Sequence, residues 1–520
     1  MHADGNHGRF SDRPQEGVAV QALVDGPGWV DRTTKPIMGL FPLAVEQFLN
    51  RAVGIHAPGV TTVTTTARYY TLHGLVADEA ARLGLDSDAA RTLLRRAEVV
   101  YGLMCMAHSD LEGHERWLPA PHGEDRLRAA LRHGPVDLTA AAGKGAGRYA
   151  NASWGFLGAY RGAEMTLGAL SKGGFAPGPD FDAAAARSDL GSILEVARHA
   201  DSVSLEDLGE LSGACLCSAD RGADGAWLAR RFAGRPAEPR TVAGVLGQTM
   251  QMIAAILDTV QIQGVGELGN AIMYDAVVTD HANSGEIWRQ WRGLRQRAES
   301  VNAWRQLWTH MCDYLSQEGA ATRARLGELL ADELPDVSVA AFEAGLPAVL
   351  DASGSPLRAE RDPSLAGRGP VEHAVAILAL GAHRHRQFAG DAPERLGFEG
   401  GPDERRLQVE ELSPHWVATL METWRERSMR DLCAHLATVM VNRAQRVAMS
   451  KAYFRRSDGR FVMPVRIMVH DDLVIRQFGE VARFPSLRLT QLMSITRQVG
   501  LFAIGEDSVW RRGARGDLLG

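Results

Sequence analysis

The side chains best suited to chemistry crowd into residues 58–74. A Pro-Gly turn at Pro58-Gly59 is followed by Thr61, Thr62, Thr64, Thr65 and Thr66, then Arg68, Tyr69, Tyr70 and His73. Every buried hydroxyl, phenol or guanidinium needs a partner, so a purely structural segment seldom carries so many. The pattern predicts a helix that begins at the threonines, with Thr64 to Thr66 as its caps. A helix start gathers orphan amides that suit a phosphate, and Arg and Tyr suit phosphates and bases. Thr64, Thr65, Arg68, Tyr69, Tyr70 and His73 are therefore candidate substrate- or DNA-binding residues. The competing reading is a capped helix whose arginine is satisfied inside the fold.

Two further stretches add chemistry. Between Arg148 and Gly162, aromatics alternate with glycines, an amide and arginines. Asn151, Trp154, Tyr160 and Arg161 are binding candidates there, against a reading in which the aromatics simply pack. The second stretch is broken by Gly264, Gly266 and Gly269 and carries Tyr274, Asp275, Thr279, Asp280 and His281. Two neighbouring carboxylates can separate their roles, one raised in pKa by desolvation and one kept ionised by a cation. Asp275 and Asp280 are the candidate catalytic acids, with Glu98, Glu164 and Asp258 next. Acids on apolar helix faces are otherwise arginine partners, and this chain is rich in arginine. Four of its 57 cationic residues are lysines.

The elements that must position these groups read as helices. Apolar residues recur at helical spacing over 40–53, over a helix from the threonines to about residue 83, and from Ser87 as a cap to about residue 108. Residues 134–150 read as a loop. Helices follow near 181–200, 203–212, 223–233 and 241–263. Asn283 to Glu286 resembles a capping box that opens a long helix to about residue 315. Its tryptophans 288, 291, 304 and 308 share faces at spacings of three and four, so they read as core, with its arginines solvated. His383 to Arg386 closes another helix, where cations favour the dipole. Ser413-Pro414 is a strong helix start, expected to run on to about residue 453. On it, Asn442, Arg446 and Ser450 share a face with Arg443 beside them. Arg443, Arg446, Lys451 and Arg488 are DNA-binding candidates. Alternation over 460–469, a short helix over 487–499 and a strand pair over 501–512 follow the order of a winged-helix unit, with 502–510 as its wing.

The fold class expected is predominantly α: a multi-helix body with a small C-terminal winged-helix-like α+β unit. Composition shifts divide the chain into an arm at 1–35, a helical core at 36–350, a linker with one helix at 351–410, and the C-terminal unit at 411–520. The 520 residues are 45% hydrophobic and 23% charged, ordinary for a globular protein, with a net charge of −6 that argues against a generally basic coat. No run of about 20 apolar residues appears, so neither secretion nor a membrane span is expected. The cysteines are Cys105, Cys215, Cys217, Cys312 and Cys433, with no C-x-x-C. Cys215-Leu216-Cys217 reads as thiol packing in a reducing cytoplasm, and no metal or cofactor is expected. P-loop, Rossmann, zincin, nucleophile-elbow and zinc deaminase motifs are absent.

The order Gly39-Leu40-Phe41-Pro42-Leu43, Pro58-Gly59-Val60-Thr61-Thr62-Val63-Thr64 and Arg68-Tyr69-Tyr70 resembles a set of bacterial defence-island proteins. The 154–162 stretch, the Leu-x-Cys pair near Cys215 and Leu487-Arg488-Leu489-Thr490-Gln491-Leu492 are similar to that set as well. The resemblance is to a phage-restricting DNA glycosylase family that removes glucosylated 5-hydroxymethylcytosine. It touches about a third of the chain through short motifs and gives no catalytic residue. It implies double-stranded modified phage DNA as partner, base flipping, and hydrolysis of the N-glycosidic bond without a cofactor. With no lysine placed as a Schiff-base nucleophile, a monofunctional enzyme is expected. A non-enzymatic DNA-binding protein with a C-terminal winged helix, or a helical interaction protein, would carry much the same pattern.

Overall fold

A computed structural model describes residues 34–112, 118–238, 240–280, 286–388, 392–399, 411–457 and 459–520. Most of the expected arm, His281, Asn283 of the expected capping box, the Asp280 side chain and the latter part of the linker lie outside the described residues. The protein is mostly helical, with a few small sheets. None of its described helices is long and apolar enough to cross a membrane.

The first candidate stretch runs from the turn after α1 (Glu46–His56) into α2 (Arg68–Arg82), and α3 (Ser87–Glu112) follows it. Helix α2 buries nearly its whole surface, including Arg68, Tyr69, Tyr70 and His73. The threonines do not cap it. The amides just ahead of it are met from afar: Gln498 Oε1 accepts from Ala67 N at 2.7 Å, and the Tyr160 hydroxyl from Thr66 N at 3.1 Å. Thr64 Oγ1 accepts from Thr61 N, which closes a local turn ahead of the helix. Likewise Asp86, not Ser87, caps α3, accepting from Asp88 N and Ala89 N. Helix α4 (Leu157–Leu167) and α5 (Ala223–Ala233) pack around α2, with α6 (Val242–Thr259) and α7 (Val265–Tyr274) beyond. The span expected as one helix over 241–263 thus ends at Thr259. Residues 134–150, expected as a loop, hold a short helix, Leu138–Ala142, capped by Asp137.

The long helix α8 (Glu286–Glu318) runs through the core. Trp288, Trp291, Trp304 and Trp308 are buried as their spacing required. Its arginines depart from expectation: Arg292, Arg295 and Arg297 are buried too. Each finds a use inside. Arg295 pairs with Glu299 at 2.8 Å, Arg297 lies over the Phe48 ring, and Arg292 donates to the carbonyl of Asp275. An arginine-rich chain can bury guanidinium groups when carbonyls and carboxylates converge on them.

The expected helix from Ser413 breaks into α9 (Pro414–Thr423) and α10 (Met429–Ser450), each capped by a serine, Ser413 and Ser428. The C-terminal strands weave into the body. Strand β1 (Thr34–Met38), which starts at the end of the arm expected at 1–35, pairs in parallel with β3 (Phe461–Val465), and β2 (Ala320–Thr322) pairs with a later strand, Leu473–Arg476. Helix α11 (Leu489–Gln498) is followed by the antiparallel pair Phe502–Ile504 and Trp510–Arg512, in the order expected. That pair docks on α6: Trp510 N donates to the Ile262 carbonyl at 2.8 Å, and Arg512 pairs with Asp258 at 2.8 Å. Strands from both ends of the chain therefore share sheets, and the 36–350 and 411–520 regions are in direct contact.

Candidate functional site

The first candidate stretch forms a sealed polar centre. His73 is fully buried between two fully buried carboxylates, with Nδ1 2.6 Å from Glu164 Oε1 and Nε2 2.9 Å from Glu98 Oε1. Glu98 also accepts from the Tyr149 hydroxyl and from Phe156 N at 3.0 Å. Burial alone would lower the imidazole pKa, but Glu164 and Glu98 reverse that and carry it to about 10. Burial raises the Glu164 carboxyl. The close fit explains Gly155: at φ +56° a Cβ would lie 2.1 Å from both Glu98 Oε2 and the Tyr149 hydroxyl. Tyr69 receives the amide of His122, whose ring nitrogen lies 3.0 Å from the Tyr160 hydroxyl, and Tyr70 donates to the Gly59 carbonyl at 2.8 Å.

Arg68 is equally enclosed. It pairs with Asp224 through Nε and Nη2 at 3.2 and 3.1 Å and donates to Gly213 O, Cys215 O and Ser218 Oγ. The guanidinium therefore lines no cleft, which corrects the expected role of Arg68 at a substrate groove. Polar richness here answers mostly to internal pairing: the arginine and the histidine both find internal acceptors, although Thr66 Oγ1, Tyr101 OH and Glu164 Oε2 are buried without a partner.

The other candidates scatter. Asn151 is exposed and receives Arg126 and Arg148. Trp154, half-buried against Phe175, and exposed Arg161 line a separate groove of about 480 Å³ with Asp86. Arg488 ties the threonine turn to α1 through the carbonyls of Val60 and Asn50. Thr65 offers its carbonyl to Gln498 Nε2 at 2.8 Å. Arg446 pairs with Glu411 at the surface. Asp275 is half-buried, caps Val277 N at 3.0 Å and lines no cavity described here, while the Asp280 side chain lies outside the described residues.

Arg443 and Lys451 lead to a different place. Lys451 Nζ donates to the carbonyls of Leu40 and Phe41, and Arg443 Nε to that of Leu43 at 2.9 Å. They grip the loop between β1 and α1. Gly39 is pressed on the Pro464 backbone, where a Cβ would come within 2.8 Å, and Phe41 and Ala44 both stand at φ +53°. Left-handed backbone at two non-glycine residues costs about 1–3 kcal/mol each and clusters at functional loops.

That loop walls a cavity of about 470 Å³, completed by Glu46, Arg305, Trp308, Thr309, Arg466 and residues 479–483. The volume suits a small ligand. Glu46 is 5% exposed, and its Oε2, Trp308 Nε1 and Thr309 Oγ1 are buried without a hydrogen-bond partner. Arg305 Nε stands 3.5 Å from Glu46 Oε1, and Glu480 pairs with Arg466 at 3.1 Å. Burial raises the Glu46 carboxyl. Its backbone hydrogen bond at the helix start, Arg305 and Lys451 oppose the shift without cancelling it, and Glu480 adds to it. Acids in the other cavities described also have partners, Glu124 in Arg128, Asp180 in Arg231, Glu238 in Arg235 and Asp86 in the amides of Asp88 and Ala89; Glu46 differs in its burial and its raised pKa.

Sequence reasoning passed over Glu46, Glu480 and Thr309 and read Trp308 as core alone. The available signal was the Gly39 to Leu43 order itself, since Gly and Pro around two exposed apolar residues mark a shaped loop. Nothing local to Glu46 announces that a segment more than 400 residues later closes over it. Compared with known proteins, the chain matches no family model, no curated protein and no solved structure.

Proposed function

We propose that the protein is a DNA glycosylase acting at the Glu46 cavity, with a modified cytosine in double-stranded DNA as substrate. What carries the reading is one arrangement: a buried carboxyl raised in pKa, a second carboxylate paired with arginine, and unpartnered donors in one nucleoside-sized space. Splitting the roles of two carboxyl groups is the device of glycosidic-bond hydrolysis. Protonated Glu46 gives its proton to the leaving base as the C1′–N bond breaks and its electrons pass to the base. Water adds to C1′ and loses a proton to Glu480, leaving a free base and an abasic sugar. Trp308 Nε1 and Thr309 Oγ1 offer hydrogen bonds to the base or a sugar appended to it. The glucosylated 5-hydroxymethylcytosine of the resemblance fits that polarity.

A second observation supports DNA as partner. In the sheet that leads into the cavity loop, Tyr453–Phe454 pairs with β3, and the turn between them carries Arg455, Arg456 and Arg460. Phe454 is 72% exposed beside them. An exposed aromatic among arginines suits a stacked or displaced base. The same hairpin would serve a DNA-binding protein without catalysis. Incubation with modified and unmodified duplex, followed by alkali, separates the two readings. Strand breaks on modified DNA support the glycosylase, whereas salt-dependent binding without breaks supports the binder and contradicts catalysis.

A further inference from the structure

Outside the cavity, one imidazole and two thiols converge where α3 passes the loop at 212–218, with a third thiol bonded to one of them. Cys105 and His108 are three apart on α3 and so share a face. Cys215 and Cys217 flank Leu216 in the loop, where Cys215 is extended (φ −65°, ψ 154°) between two short 3₁₀ turns. His108 Nδ1, Cys215 Sγ and Cys217 Sγ all lie within 4.8 Å of one another, and His108 Nδ1 is 3.3 Å from Cys217 Sγ. The thiols of Cys105 and Cys215 hydrogen-bond, bringing a third sulfur to the group. Ligands of one tetrahedral zinc, at about 2.3 Å for sulfur and about 2.0–2.1 Å for nitrogen, stand about 3.5 Å apart.

We propose that Cys105, His108, Cys215 and Cys217 bind one zinc ion. Thiolate and imidazole donors select zinc over magnesium or calcium, and four protein ligands make a closed, structural centre. Binding forms three Zn–S bonds and one Zn–N bond and releases three thiol protons to solvent. Two zinc charges against three thiolates leave one negative charge, and Arg68 stands beside it: its Nη1 donates to Gly213 O at 3.0 Å and Ser218 Oγ at 2.9 Å, fixing the ligand loop. Half-buried His108 and Cys217 give the ion a way in. The centre would fasten α3 to the loop that holds Arg68, so a spacing that reads as thiol packing becomes a clamp.

The test is metal content of the full chain purified without chelator. Wild type and the Cys312→Ser and Cys433→Ser controls, whose cysteines lie elsewhere and are buried, should retain about one zinc per chain. His108→Asn and Cys217→Ser should lose it. Should those variants fail to fold, cobalt(II) added to the metal-free wild type gives the reading: thiolate-to-cobalt charge-transfer absorption and tetrahedral d–d bands are expected. Folded wild type with no zinc and no such spectrum, zinc retained by Cys217→Ser, or a Cys105–Cys215 disulfide in metal-free folded protein would each overturn the proposal.

Discussion

The sealed centre around His73 and the open cavity at Glu46 hold similar residue types in opposite states. In the first, an arginine, a histidine and their carboxylates are enclosed and paired with one another. In the second, a carboxyl group, an indole and a hydroxyl are buried at the wall of a space large enough for a ligand; one carboxyl oxygen meets Arg305, and the other oxygen, the indole N–H and the hydroxyl have no partner. A buried network that closes on itself stabilises a fold, whereas buried polar atoms left open at a cavity keep their capacity for a substrate. Chemical richness in a sequence therefore marks polarity, and only the pairing pattern tells which kind.

The largest effect expected on this comparison is loss of the fold on breaking the sealed centre. Arg68→Ala strands Asp224 and should cost about 3–5 kcal/mol, read from denaturant unfolding. A variant with near-wild-type stability would mean that the pair is not structural. In the open region the order reverses. Glu46→Gln keeps shape and removes the proton, so base release should fall by about 10²–10⁴-fold with melting little changed. With Glu46 acting protonated, as proposed, and its pKa raised, release by the wild type should decline as pH rises through that raised value; a rate that climbs instead would assign Glu46 another role.

Next comes a pH dependence of stability. His73 titrates near 6.5 when unfolded and about 10 when folded, so its contribution is complete below about pH 6.5 and is lost as pH rises through about 10. Glu164, also raised by folding, acts in the same direction at lower pH. Melting temperature should fall across that window in the wild type and lose much of this slope in His73→Gln. A flat wild-type profile would contradict a charged histidine in the centre. The smallest effect belongs to the surface: Arg446→Ala breaks only an exposed pair with Glu411 and should change stability by at most about 0.5–1 kcal/mol.

Helical periodicity carried the mostly helical fold, the four core tryptophans and the Ser413-Pro414 start, because those features depend on residues a turn apart. Bonding of the amides just ahead of α2 was not legible, since their partners are Tyr160 and Gln498, far away in the chain. Burial of Arg292 and Arg295 was hidden for the same reason: arginine on a helix looks solvated until carbonyls and carboxylates from other segments meet it. Of the candidate site residues, Arg443 and Lys451 do not line the cavity but bond carbonyls of the loop that walls it. Glu46 gave no local sign, because its burial depends on residues 466 and 479–483 folding over α1.

The central claim is that chemistry resides at Glu46 and not in the residue-rich stretch at 58–74. The most direct measurement is single-turnover base release from duplex containing glucosylated 5-hydroxymethylcytosine, run beside melting curves for wild type, Glu46→Gln and Asp275→Asn. The account predicts release by wild type and Asp275→Asn, and a loss of at least about 10²-fold in a Glu46→Gln protein that melts normally. Full release by Glu46→Gln would contradict it, and loss confined to a normally melting Asp275→Asn would move the acid to the glycine-broken segment.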